Sequence, residues 1–201
     1  MAKYNGPKHR LARREGKNIL DKQSATLLRR LNIPPGMHGV RRRRKQSDYA
    51  VQLRAKQVAR KTYGVLESQF RKYYTQAKKV PGKTGEVLLQ LLETRLDNLV
   101  YRLGFVPSRA MARQLVSHGH VTVNGKIVNI ASYQVRPGEV ISLSGKALRI
   151  PAVEKVMKAE NVKLPTWLER KAAVGKLSSI PAREAIPVEI DEQLVVEFYS
   201  K

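Results

Sequence analysis

Apolar positions recur at helical spacing through the middle of the chain, and this pattern sets out its elements. From Ser47 or Asp48 onward, Val51, Ala55, Val58 and Thr62 fall one or two turns apart. Arg54, Lys56, Arg60 and Lys61 take the other faces, which predicts an amphipathic helix ended by Gly64. A second helix is predicted from about Val65, with Leu66, Phe70, Tyr73 and Ala77 inward and Arg71, Lys72, Lys78 and Lys79 outward. Tyr73 and Tyr74 could stack on bases, but aromatic residues at this spacing pack more often in a core. After the Pro81-Gly82 turn, Thr84 is placed to cap a long leucine face of Leu88, Leu91, Leu92, Leu96, Leu99 and Leu103. The run supplies too few heptads for a coiled coil and reads as core.

The pattern then changes from helical to alternating. Ser108 can cap a short helix, and Gly119 can take the left-handed position that ends it. Arg109 and Arg113 share one face of this helix, while Ala112, Leu115 and Val116 pack on the other. Ser108 could instead touch phosphate, but capping is the preferred role. Asn124-Gly125 suits the tight turn between strands predicted at His120–Val123 and Lys126–Ile130. Arg136-Pro137-Gly138 forms another turn before a third strand, Val140–Leu143. Residues 152–160 read as a short helix, Trp167 as an anchor for the returning chain, and Gln193–Tyr199 as a closing strand or extended segment.

Charge changes this picture from a fold to a binding protein. The 201 residues, enough for one or two domains, include 39 Lys and Arg against 16 Asp and Glu, a net charge of +23. A compact particle so charged repels itself, so a polyanionic partner is the economical explanation. The excess is uneven: residues 1–83 hold 23 basic and 4 acidic residues, whereas residues 161–201 hold 6 of each. Candidate phosphate contacts are therefore Lys3, Lys8, Arg10, Arg13 and Arg14, the run Arg41, Arg42, Arg43, Arg44 and Lys45, and Arg54, Lys56, Arg60, Lys61, Arg71 and Lys72. Ile33-Pro34-Pro35-Gly36 and the basic run interrupt any long helix in residues 1–46. That arm is expected to be mobile when free and to order on its polyanionic partner. Further along, Ser108, Arg109, Arg113, His118, His120, Asn124 and Lys126 form the second candidate group.

Other chemistries find little support. The absence of cysteine excludes disulfides, thiol catalysis and thiolate zinc sites. No apolar run approaches the ~18–20 residues of a membrane span, and Met1-Ala2-Lys3-Tyr4 lacks a signal-peptide core. The chain reads as soluble and intracellular, with no membrane partner. His118 and His120 tempt a metal reading, but two ligands do not make a site, and no metal or cofactor is expected. Gly36, Gly39 and Pro137-Gly138 are turns rather than nucleotide-binding loops, so no enzyme and no small-molecule substrate are expected. Arg95 and Arg102 share a face, where pairing with Glu93 and Asp97 competes with contact to the polyanion.

The segment Leu92-Glu93-Thr94-Arg95-Leu96-Asp97-Asn98-Leu99-Val100-Tyr101-Arg102-Leu103-Gly104-Phe105, with Ser108 to Val128 after it, resembles the RNA-binding module named after ribosomal protein S-four. The similarity extends to the bacterial S-four family through Tyr4-Asn5-Gly6-Pro7, Arg13-Arg14-Glu15-Gly16 and Pro35-Gly36-Met37-His38-Gly39. It continues in Ser47-Asp48-Tyr49, Tyr63-Gly64-Val65-Leu66-Glu67, Pro165-Thr166-Trp167-Leu168 and Val196-Glu197-Phe198-Tyr199-Ser200-Lys201. This resemblance implies an α+β fold: a largely helical body with an inserted S-four-type RNA-binding module of helices and a small antiparallel β-sheet. It implies a basic arm at 1–46, a helical body at 47–90 plus 165–201, and the module at 91–164.

By the same resemblance the ligand is small-subunit ribosomal RNA at a multi-helix junction, and binding nucleates assembly of the subunit body. The implied neighbours are other small-subunit ribosomal proteins, including the S-five family, and messenger RNA at the tunnel through which it enters. Influence on decoding accuracy follows from that place. Some family members carry four N-terminal cysteines for zinc; this chain has none, so that metal is not carried over. The module also occurs in RNA-modifying enzymes, and a pseudouridine synthase uses an aspartate. Such an enzyme needs a separate catalytic domain, which residues 161–201 cannot hold. A histone-like condenser is the remaining rival, and it would bind duplex DNA as well as junction RNA.

Replacing Arg41, Arg42, Arg43 and Arg44 with Ala is expected to weaken RNA binding. It should also flatten the plot of log affinity against log salt by about 0.7–0.9 for each phosphate the run neutralises. An unchanged slope would show that the run stays solvated in the complex.

Overall fold

A computed structural model describes residues 4–20, 24–37, 45–158 and 164–200. The helices of the first half are α1 (Lys8–Glu15), α2 (Ala25–Arg30), α3 (Asp48–Thr62), α4 (Glu67–Lys79) and α5 (Thr84–Glu93). Next come α6 (Leu96–Arg102), α7 (Arg109–Ser117), β1 (Val121–Val123), β2 (Lys126–Ile127) and β3 (Val140–Leu143). The chain ends with α8 (Gly145–Leu148), α9 (Pro151–Met157), β4 (Leu168–Lys171), β5 (Val174–Leu177) and α10 (Glu192–Ser200). It divides into two units, Met1–Gly85 with Val188–Lys201, and Glu86–Pro187.

In the first unit, α1 packs on α2 and α3 around Ala12, Ile19, Leu27 and Val58. The described part of the N-terminal segment thus belongs to the helical unit rather than standing apart as an arm. Ser47 caps α3, its hydroxyl accepting from the Ala50 amide, and Gly64 leaves the helix at φ 64°. The inward face of α3 differs from the predicted stripe: Val51 is exposed, whereas Gln52 and Lys56 are buried with Val58 and Ala59. The cause is α10, which packs on α3 and supplies partners for both polar groups. Gln52 Nε2 donates to Glu197 at 2.9 Å, and Lys56 Nζ sits 4.6 Å from the centre of the Phe198 ring.

The expected C-terminal strand is therefore a helix. Asp191 starts it, its Oδ1 accepting from the Gln193 and Leu194 amides at 3.1 and 3.2 Å. The Tyr199 ring lies 4.8 Å from that of Tyr74 and 6.2 Å from that of Phe70. Its hydroxyl donates to Glu67 at 2.7 Å, and Lys56 donates to the same carboxylate oxygen at 2.9 Å. Tyr73 and Tyr74 are buried, as core packing requires.

The second unit is built on an antiparallel sheet in the order β2-β1-β3-β5-β4. Leu99, Leu103, Phe105, Leu115, Val116, Val121, Ile141 and Leu177 fill the core that also takes in α6 and α7. Residues 165–187 belong here, not with the body as expected, because β5 pairs with β3 and adds the β4–β5 hairpin to the sheet. Arg170 of β4 closes the C-terminal end of α6: its Nη1 donates to the carbonyls of Leu103 and Gly104, each at 2.9 Å. Burial lowers the Arg170 pKa from its usual value. Trp167 is buried, its indole N–H donating to the Ala185 carbonyl.

The continuous leucine face is also broken, at Thr94-Arg95. Arg95 is extended, and the freed Leu96 and Asp97 amides donate to the carbonyls of Tyr133 and Ala131. Val135 returns the exchange by donating to the Thr94 carbonyl. Residues 131–135 thereby substitute for a missing helical turn. The predicted strand to Ile130 stops at Ile127, and the predicted helix over 152–160 runs from Pro151 to Met157.

Two measurements test this packing. A Cβ built on Gly175 would lie 2.5 Å from Leu103 Cδ1, so the sheet approaches α6 too closely for a larger residue. Gly175→Ala should destabilise the chain by about 1–3 kcal/mol in urea unfolding; wild-type stability would show that Leu103 yields freely. For Glu67, burial raises the pKa, but the Tyr199 hydroxyl, Lys56 and Arg60 outweigh it and hold the carboxyl below its ordinary 4.5. Its stabilising contribution is therefore present above that value and lost as pH falls through the lowered one. Tyr199→Phe should cost stability at neutral pH, and the gap from wild type should close in acid; a gap independent of pH would exclude this linkage.

Candidate nucleic-acid interface

The second unit holds its basic side chains on a rigid helix start. The Ser108 hydroxyl accepts from the Met111 amide and caps α7. Arg109 follows as the first helical residue, with its guanidinium 4.5 Å from the centre of the Tyr101 ring and Nε donating to Asn98 Oδ1 at 2.8 Å. Arg113 stands one turn further along and is half-buried, while Ala112, Leu115 and Val116 are buried on the opposite side. Gly119, at φ 72°, ends the helix and turns the chain into β1. His118 is exposed and His120 half-buried, their ring centres 6.2 Å apart.

The hairpin tip is similarly fixed. Asn124 and Gly125 have φ values of 48° and 80°, which match the primed turn the sequence predicts. The Asn124 side chain is a tie to β3: Oδ1 accepts from the Val140 amide at 2.9 Å while the Asn124 amide donates to the Val140 carbonyl at 2.8 Å. Lys126 and Ile127 beyond it are exposed, the latter at 70%.

Behind α7 lies a buried polar network. Glu93 is fully buried, and Arg102 grips its carboxylate with Nε at 2.9 Å and Nη2 at 2.6 Å. Asn98 Nδ2 donates to the same carboxylate at 2.6 Å and to the Glu93 carbonyl at 3.0 Å. Arg95 makes a second two-bond pair with Asp97, at 3.0 and 2.6 Å. The competition between pairing and RNA contact at Arg95 and Arg102 is thus decided for pairing, and inside the fold rather than on its surface. Removing one partner of such a buried pair costs about 3–5 kcal/mol.

The first unit sorts its cations by the same rule. Glu15, its side chain 1% exposed, accepts from Arg54 at 3.2 Å and Lys61 at 2.5 Å. Lys56, expected on the outer face of α3, is 5% exposed and paired with Glu67, and Arg60 Nε lies 3.6 Å from the same carboxylate. Arg13 is half-buried and ties α1 to the Pro34 turn, donating to the carbonyls of Ile33 and Pro34 at 2.9 and 3.2 Å. Lys8, Arg10, Arg14, Lys45, Arg71 and Lys72 are exposed. Lys3 and Arg41 through Arg44 lie outside the described residues.

The candidate contacts read from the sequence left out several cations that the structure presents as exposed: Lys17, Arg29 and Arg30 near α1 and α2, and Lys78, Lys79 and Lys83 at and beyond the end of α4. Arg29 and Arg30 close a helix of six residues, too short to give a periodic signal. Lys78 and Lys79 were legible as an outward basic face. Such an array of lysine and arginine attracts a phosphate backbone irrespective of base, while the fixed Arg109 and the hairpin tip offer shape-dependent contacts. Among the described residues, no helix is long and apolar enough to cross a membrane.

Comparison with known proteins agrees with these features. Residues 3–93 match the family model described as "Ribosomal protein S4/S9 N-terminal domain", and residues 94–141 match the S4 domain. The chain is 50% identical to small ribosomal subunit protein uS4 of Parabacteroides distasonis and 51% identical to that of Akkermansia muciniphila, over the full length of both chains in each case. It is 49% identical, again end to end, to the protein of that name from Natranaerobius thermophilus.

Proposed function

Since the chain belongs to the family of small ribosomal subunit protein uS4, we propose that the exposed cations and the α7–hairpin surface described above hold small-subunit ribosomal RNA. The family's members are structural ribosomal proteins and not enzymes, and the role of this chain is that of an RNA-binding constituent of the small subunit. In bacteria that subunit lies in the cytoplasm. The observation that carries this reading is the end-to-end identity near 50%, which spans both units.

Within that role, each unit presents its own RNA contacts. On the first they are Lys8, Arg10, Arg14, Lys45, Arg71 and Lys72, joined by Lys17, Arg29, Arg30, Lys78, Lys79 and Lys83. Exposure supports this set. Lys56 is left out, because extracting it would break its pairing with Glu67. On the second unit they are Arg109, Arg113, His118 and Lys126, with Ser108 and Asn124 serving as cap and turn. A protein that neutralises phosphates on several RNA helices lowers the cost of bringing them together, which is a mechanism for nucleating assembly of the subunit body. Its neighbours in that reading are the S-five family protein and incoming messenger RNA, a place from which it acts on decoding accuracy.

Hydroxyl-radical footprinting of the full chain on naked small-subunit ribosomal RNA tests the proposal. Protection should be confined to one multi-helix junction, and duplex DNA should compete poorly at matched salt. Protection scattered over the RNA, with equal competition from DNA, would favour a general nucleic-acid condenser instead.

A further inference from the structure

Arg109 has the features of a positioned guanidinium, not merely a charge on a flexible stem. Its Nε is held by Asn98 Oδ1 at 2.8 Å and its Cζ lies over the Tyr101 ring, 4.5 Å from the centre. The Asn98 amide has two ends of opposite character, so its orientation decides whether it can receive Arg109 at all. Glu93 settles that orientation. Its carboxylate accepts from Asn98 Nδ2 at 2.6 Å, and turning the amide over would set Oδ1 against the carboxylate and Nδ2 against the Arg109 donor. Glu93 can play this part because Arg102 satisfies it with two further bonds, at 2.9 and 2.6 Å. The order of dependence is Arg102, Glu93, Asn98, Arg109.

We propose that Glu93 and Asn98 are positioning residues for RNA recognition: they fix the amide that holds the Arg109 guanidinium against Tyr101 in a single attitude toward the phosphate backbone. The inference rests on the reading that Arg109 touches RNA. It goes beyond that reading because neither Glu93, fully buried, nor Asn98, 2% exposed, is itself available to RNA. Arginine rather than lysine is then required at position 109, since lysine has no planar fork to orient and no Nε to offer Asn98.

The test uses the full chain and a naked small-subunit ribosomal RNA transcript, with affinity measured over a range of salt. Arg109→Lys keeps the charge, so the salt slope should stay as in the wild type while affinity falls about tenfold, as expected when a positioned guanidinium is removed. Wild-type affinity in Arg109→Lys, together with a loss in Arg109→Ala, would overturn the positioning role and leave charge as the whole contribution. Wild-type affinity in both variants would instead sink the reading that Arg109 touches RNA. A double-mutant cycle then separates positioning from general structure. Asn98→Ala should lose affinity in the wild-type background and lose almost nothing further when Arg109 is already Ala. Equal losses in both backgrounds would make Asn98 a structural residue only. Should Asn98→Ala fail to fold, wild-type affinity in Arg109→Lys would still overturn the proposal.

Discussion

The second unit depends on burying one carboxylate. Glu93 has no solvent exposure, and an ion of that size loses several kcal/mol on leaving water unless bonds within the protein replace its hydration. Arg102 and Asn98 supply those bonds, and both stand on α6, while Glu93 is the last residue of α5. The ion pair therefore fixes the break between the two helices. Once that break is set, the Leu96 and Asp97 amides face the 131–135 segment, and the first residue of α7 meets Asn98. An apolar residue at position 93 would be easier to bury but would remove both bonds that Arg102 makes to the carboxylate and the one that the Asn98 amide makes to it. The charge is kept because three elements are aligned by satisfying it.

Acidic residues elsewhere follow the same logic, which changes the meaning of the large positive charge. Glu15 gathers Arg54 and Lys61, Glu67 gathers Lys56 and Arg60, and Asp97 gathers Arg95. The Glu15 and Asp97 carboxylates are buried and that of Glu67 is partly exposed; together they neutralise cations of the framework and leave other cations facing water. A chain with few acids thereby keeps a compact core while the outer surface remains strongly basic. The count of Lys and Arg in residues 1–83 overstates the grip available to RNA, because several of them hold the protein to itself.

This division explains what was legible in the sequence. Local signals were reliable where one residue decides the backbone: Ser47 and Ser108 cap their helices, and Asn124-Gly125 forms the turn. The α+β class and the leucine-rich core also followed from periodicity and resemblance. What failed depended on partners distant in sequence. Lys56 looked like a surface cation because nothing nearby announces that Phe198 and Tyr199 will cover it. The assignment of 165–187 to the body failed for the same reason: only the pairing of β5 with β3 shows which sheet those residues join. The helical character of 192–200 lay in a weak signal, the Asp191 cap, which the reading of Gln193–Tyr199 as a closing strand or extended segment passed over.

The position of α10 links the first unit's fold to its surface. Glu67 accepts from Lys56 and Tyr199 and lies 3.6 Å from Arg60 Nε, so one carboxylate ties the C-terminal helix to both α3 and α4. Tyr199 is held as a neutral donor, its pKa raised by burial and by the carboxylate it serves. Its ring fills the aromatic layer with Tyr74 and Phe70, while Phe198 lies under the Lys56 ammonium. Arg71 and Lys72, on the exposed face of α4, are thus presented by a helix whose inner face is closed by the last residues of the chain. The near-neutral C-terminal segment contributes little charge for RNA; it supplies the aromatic packing and the Tyr199 hydroxyl that let a strongly basic surface stand on a stable support.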